Sequence, residues 1–152
     1  MRPGDIYWPR VKEVWETISI HDGAERFEND FRSAPFVART LFAAHWCDSE
    51  VCNGGFDQFF YNSTGVLAPE AVAAYRLIGM PQLAAVVDRA LNWFDKPYPR
   101  ERSQRKLRMT WPKGGRQFGT YDDEFYRLKK SENGGFLAAA DAYALSDRVD
   151  GS

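Results

Sequence analysis

The run Pro81-Gln82-Leu83-Ala84-Ala85-Val86-Val87-Asp88-Arg89-Ala90-Leu91-Asn92-Trp93-Phe94 decides the fold class. Leu83, Val86, Val87, Ala90, Leu91 and Phe94 fall at i, i+3, i+4, i+7, i+8 and i+11, which is one stripe of an α-helix opening at a proline. The same period recurs in Val11, Val14, Trp15 and Ile18 after Pro9, and in Val37, Thr40, Leu41 and Ala44 after Pro35. It returns in Val72, Tyr75 and Gly79 after Pro69, and in Tyr121, Phe125 and Leu128. Proline suits a first helical turn because its missing N–H would have no partner there. Segments 24–32 and 136–146 also read as helices, and no pair of alternating strands flanks a hairpin turn. The pattern predicts an all-α, helical-bundle-like domain of seven or eight helices spanning residues 1–152. Its core is expected to hold Trp15, Leu41, Phe56, Phe59, Phe60, Val87, Leu91 and Phe125.

Composition agrees with one domain: 152 residues, 44% hydrophobic, 15% aromatic and 27% charged. No apolar run approaches the ~20 residues of a membrane span, and the first residues lack the apolar stretch of a secretory signal. Cys47 and Cys52 are too few for a disulfide framework. These features point to a cytoplasmic protein. The connections are short except at 95–120, where Lys-Pro-Tyr-Pro and Trp-Pro-Lys-Gly-Gly leave room for one short helix near 100–108.

Charge is uneven. Residues 1–66 carry 10 acids and 6 bases, residues 67–118 carry 4 acids and 10 bases, and residues 119–152 carry 7 acids and 4 bases. Within the basic middle, Arg100, Arg102, Arg105, Lys106, Arg108, Lys113 and Arg116 form a candidate polyanion-binding run, with Lys96 beside it. A solvated face paired with the acidic ends of the chain is the competing reading.

The most unusual stretch is Glu50-Val51-Cys52-Asn53-Gly54-Gly55-Phe56-Asp57-Gln58-Phe59-Phe60-Tyr61-Asn62-Ser63-Thr64-Gly65. A helix is expected to end near Cys52, the glycine pair to turn the chain, and a second helix to begin about Gly55. Phe56, Phe59 and Phe60 then enter the core, while Asp57, Gln58 and Tyr61 face away and Gly65 takes a left-handed position after the helix. Asn53, Gly54, Gly55, Asp57, Gln58, Tyr61 and Asn62 are accordingly the candidate partner-binding residues. The alternative is a tight junction whose Asn and Gln satisfy backbone groups. The tetrad Asn-Gly-Gly-Phe recurs at 133–136 with different flanks, read here as coincidence.

The residues of this stretch, with Leu67-Ala68-Pro69-Glu70-Ala71, Ile78-Gly79 and Asp122-Asp123-Glu124-Phe125-Tyr126, resemble the bacterial family named for a DNA-mimic protein. The likeness spans about residues 35–130 and departs at Cys52, where the family more often has asparagine. It implies an all-helical fold and, for the namesake, binding to a DNA-binding regulator by imitating DNA charge. A mimic sets carboxylates in place of phosphates, one per ~1.7 Å of duplex axis. Against the basic middle of this chain, the charge count favours a different kind of protein-binding module, with weak nucleic-acid association as the alternative.

Enzyme chemistry finds little footing. His45, Cys47 and Cys52 are two and five residues apart rather than the three or four that share a helix face, so no metal site is expected. No phosphate-cradling or dinucleotide fingerprint appears, and no cofactor is expected. A hydrolase built on Asn53, Asp57 and Gln58 is the least favoured reading. Asp122, Asp123 and Glu124 are expected to favour the positive end of their own helix.

Overall fold

The computed structural model describes residues 1–151, with side chains placed through Asp147. Eight α-helices and two 3-10 turns follow in order: α1 Trp8–Val14, α2 Ala24–Ser33, α3 Phe36–Tyr61, a turn at Ser63–Leu67, α4 Ala68–Leu77, α5 Pro81–Leu91, α6 Arg102–Arg108, α7 Gly119–Ser131, a turn at Glu132–Gly134 and α8 Phe136–Gly151. No strand occurs among the described residues, so the all-α expectation holds. The proline rule holds as well: Pro9, Pro69 and Pro81 sit in the first turns of α1, α4 and α5, and Pro35 immediately precedes α3.

Helix α3 is the central element. It packs against α1, α4, α6, α7 and α8, while α5 bridges α4 to α7. Position explains its composition: a helix covered on most sides buries Leu41, Phe42, Ala44, Cys47, Val51, Phe56, Phe59 and Phe60. The aromatic centre forms around Phe60, whose ring meets Phe56, Phe59, Phe94 and Phe118 at centroid separations of 5.7, 5.5, 5.2 and 5.1 Å.

One expected core residue lies elsewhere. Trp15 is 37% exposed, because α1 stops at Val14 and its inward stripe ends there. The Trp15 ring instead stacks on Trp46 at the surface, 4.9 Å between centroids and 15° between planes. Ile18 still reaches the core from the turn that follows. The contrast is measurable by urea denaturation: Phe60→Ala should cost about 3–5 kcal/mol, whereas Trp15→Leu should cost about 1 kcal/mol or less.

Candidate functional site

The chain's singular feature is the break in α3. Gly54 (φ −149°, ψ 18°) and Gly55 (φ 76°, ψ −179°) interrupt the helix and divide it after Asn53. Gly55 lies in the left-handed region that side chains penalise, and a Cβ there would come within 2.6 Å of the Asp122 carboxylate. The expected end of one helix and start of another are both present. Gly135 (φ 96°, ψ 159°) sits in nearly the same conformation just before Phe136 opens α8. The rest of the second tetrad differs: Asn133 (φ 51°) and Gly134 (φ 82°) are left-handed where Asn53 is helical and Gly54 has φ −149°, so the two Asn-Gly-Gly-Phe runs share only the conformation of their second glycine.

A broken helix exposes donors and acceptors that need partners. At the new start, the Phe56 amide donates to Asp122 Oδ1 at 2.8 Å. At the preceding end, the Tyr126 hydroxyl donates to the Val51 carbonyl at 3.0 Å, and the Arg116 guanidinium donates to the Gly54 carbonyl. Asp122 lies in the first turn of α7 as expected, but its carboxylate reaches across to cap the second half of α3. Burial raises the Asp122 carboxyl above its usual value, an effect opposed by the Phe56 amide and by Arg116 and reinforced by Asp57.

Asp57 does not face solvent. It is fully buried and its Oδ1 accepts from the Gln117 amide at 2.9 Å, pinning the end of the long 95–118 connection to α3. The expectation failed because that connection folds over the face a bare helical wheel leaves open. Gln58 and Asn62 are half-buried around Glu50: Gln58 Nε2 donates to Glu50 Oε2 at 2.6 Å, Asn62 Nδ2 to the same oxygen at 3.3 Å, and Thr64 Oγ1 to Glu50 Oε1 at 2.9 Å. Glu50 and Thr64 were not among the candidate residues, although the run of amides and hydroxyls around an acid was visible. Tyr61 lies under Arg102 and Lys106, 5.4 and 5.0 Å from its ring centre. Asn53 is exposed.

The basic run meets the same helix. Arg105, expected at a polyanion surface, is fully buried. Its Nε donates to the Phe60 carbonyl and its Nη2 to the Asn62 carbonyl, both at 2.8 Å, while Nη1 reaches the carbonyls of Pro99 and Arg100. Arg102 Nε holds the Tyr61 carbonyl at 2.8 Å. Three successive carbonyls at the negative end of α3 are thus held by two guanidinium groups from α6. Gly65 makes room for this: it lies inside the Ser63–Leu67 turn, and a Cβ would stand 2.7 Å from Arg105 Nε. Close approach, not a left-handed backbone, is what that glycine supplies. Arg100 pairs with Glu70 at 2.7 Å, and Arg108 with Asp95. Lys106 and Lys113 remain exposed.

Cys47 is buried and Cys52 exposed, both as free thiols. Lys129 Nζ lies 2.8 Å from Asp48 and 3.3 Å from Cys52 Sγ. Among the described residues no group of three or more metal-ligating side chains gathers, and no helix is long and apolar enough to cross a membrane.

The sequence pattern of the DMP19-like proteins matches residues 32–147, most of the chain, from just before α3 into α8. The chain belongs to the DMP19-like protein family. Comparison with curated proteins and with solved structures gives no match. Within this DNA-mimic-like family member, the matched region includes the break in α3 and the residues that brace it, Arg116, Asp122 and Tyr126.

Two variants test that brace. Arg105→Met leaves four carbonyls without their donor and should cost at least about 3 kcal/mol in chemical denaturation, with Arg105→Lys recovering only part of it because an ammonium lacks the planar fork. For Asp122, the folded chain holds a proton between the ordinary carboxyl value and its own raised one, where the unfolded chain has released it. Its contribution to stability therefore falls as pH rises through that window. A melting-temperature series against pH should show this fall in the wild type and lose it in Asp122→Asn, while Asp122→Ala should cost about 1–2 kcal/mol near neutral pH through the lost cap.

Proposed function

We propose that this protein is a non-enzymatic binding module that engages a DNA-binding protein through the acidic surface of residues 13–30, with the Asn53–Asn62 segment serving as its scaffold. Family membership supports a partner of that class. The single observation that carries the reading is which carboxylates remain available. Between residues 13 and 30 stand Glu13, Glu16, Asp22, Glu25, Glu28 and Asp30, with Arg26 the sole Lys or Arg among them. Glu16 and Glu25 are exposed and make no hydrogen bond or ion pair among the described residues. Glu13 and Glu28 meet Arg10 and Arg100 only at 3.6 and 3.9 Å and keep about half of their side-chain surface open (54% and 47%).

Burial supports the scaffold reading of the signature: Gly54, Gly55 and Asp57 are buried, and Gln58 and Asn62 are held by Glu50. Asp57 is fully buried with its Oδ1 held by the Gln117 amide, which supports a structural role for it over that of a hydrolase acid. The alternative, a nucleic-acid-associated protein, is supported by one feature, a cleft of about 440 Å³ lined by His21, Ser63, Arg100, Arg102 and Lys106. Its cations are mostly occupied, Arg100 by Glu70 and Arg102 by the Tyr61 carbonyl.

Capture from nuclease-treated lysate of the native host, identified by mass spectrometry, should yield a DNA-binding protein. The purified chain should then displace that protein from its DNA in a gel-shift assay, and Glu16→Lys combined with Glu25→Lys should weaken displacement tenfold or more, about 1.4 kcal/mol. Retention on heparin at low salt, lost steeply as salt rises, together with no displacement would decide for the nucleic-acid alternative.

A further inference from the structure

Three tryptophans gather on the same side of the molecule as the acidic surface. Trp8 and Trp15 are each 37% exposed. Trp8 meets Trp15 edge to face at 5.6 Å, and Trp15 lies flat on Trp46. Phe42 forms the floor beneath Trp15 at 6.0 Å and is itself buried. Trp15, Phe42 and Trp46, together with the turn 16–22, line an open cleft of about 350 Å³ that includes Glu16 and Asp22. The one Lys or Arg at its edge already has a partner, Arg26 being held by both oxygens of Asp30 at 3.2 and 3.0 Å, and the His21 ring shares a hydrogen bond with Ser63 at 3.0 Å. Asp22 accepts from Ser19 Oγ at 2.6 Å, while Glu16 has no partner among the described residues.

An indole face attracts a cation through its quadrupole, and a planar guanidinium stacks on it with its N–H edge free to meet a carboxylate. A wall of indole beside an unpaired carboxylate is complementary to that group. We infer that the cleft between the 15–22 turn and α3 receives an arginine side chain of the protein partner, stacked on Trp15 and held at its edge by Glu16. This inference rests on the proposed reading for its choice of occupant: DNA-binding proteins present arginines to reach phosphates and bases. Trp15 and Glu16 precede the family-matched region, which begins at residue 32, while Phe42 and Trp46 lie within it. Tryptophan and arginine are also the residue types that concentrate binding energy at interfaces.

The probe is acetylated, amidated hexaarginine, titrated by calorimetry and by tryptophan fluorescence in 0.15 M salt, where the Debye length is about 8 Å and diffuse attraction is screened. Hexalysine is the comparator. Hexaarginine should bind several-fold more tightly than hexalysine and change the indole emission. Trp15→Leu and Glu16→Gln should each weaken it about five- to tenfold without shifting the melting temperature by more than a few degrees. Asp123→Asn, which removes an exposed acid on α7, should leave binding unchanged. Equal affinity for the two peptides, or equal weakening by all three variants, overturns the inference, as does concentration-dependent dimerisation lost in Trp15→Leu, which would make the occupant a second copy. Peptide binding that follows this pattern without displacement of any DNA-binding protein overturns the proposed partner class and leaves the cleft standing. Displacement without peptide binding does the reverse.

Discussion

The guanidinium of Arg105 carries much of the architecture around the signature. Buried where a helix, a turn and an irregular connection converge, it binds carbonyls of Phe60, Asn62, Pro99 and Arg100 at once. No carboxylate pairs with it among the described residues. A buried cation of this kind is tolerated because each of its three nitrogens finds a carbonyl acceptor and because the C-terminal end of α3 offers negative potential. Through it the 95–108 segment is fastened to the end of α3, and through Asp57 and Arg116 the 116–118 segment is fastened near the break. The long connection that would otherwise be loose becomes the lid of the aromatic core around Phe60 and Phe118.

Opposite charges do the corresponding work at helix beginnings. The residues preceding α1, α2 and α5 are Tyr7, Gly23 and Met80, none with a capping side chain. Carboxylates from far along the chain substitute: Asp141 accepts from the amides of Gly4, Ile6 and Tyr7, Glu101 from Ala24, and Glu132 from Gln82 and Leu83. With Asp122 at Phe56, four helical starts depend on tertiary contacts for the acceptor that a local Ser, Thr, Asp or Asn would ordinarily provide. Such helices hold their ends only once the neighbouring element has docked, which couples secondary and tertiary structure.

This use of charge bears directly on function. Counting acids and bases treats every ionised group as available to a partner, yet Asp57, Asp122 and Arg105 are buried, and Glu101, Glu132 and Asp141 are engaged by amides. The basic middle loses most of its candidate polyanion contacts to carbonyls and carboxylates inside the molecule. In the acidic 13–30 stretch Glu16 and Glu25 stay exposed and unpaired among the described residues and Glu13 and Glu28 stay about half open, near the exposed indoles of Trp8 and Trp15, while Asp22 and Asp30 are engaged within the molecule. A near-neutral chain can in this way present an acidic face, and membership of a DNA-mimic-like family becomes physically compatible with a net charge of −1.

The helical class, the prolines at helix starts, the position of the break at Gly54-Gly55 and the burial of Phe56, Phe59 and Phe60 were all legible in the sequence. Each rests on a local rule: a 3.6-residue period, a fixed proline φ, or a glycine where φ is positive. The resemblance to the family was legible too, because it lies in a contiguous motif. The fate of Asp57, Asp122 and Arg105 was not, nor the outward turn of Trp15. The partners of Asp57 and Asp122 lie 60 and 66 residues away in the chain, and those of Arg105 up to 45. Helical periodicity assigns a side chain to a face but does not reveal what covers that face. Whether a charged residue meets water, a peptide amide or a carbonyl was decided only when the 95–118 connection closed over α3, because desolvation and hydrogen bonding depend on neighbours in space rather than in sequence.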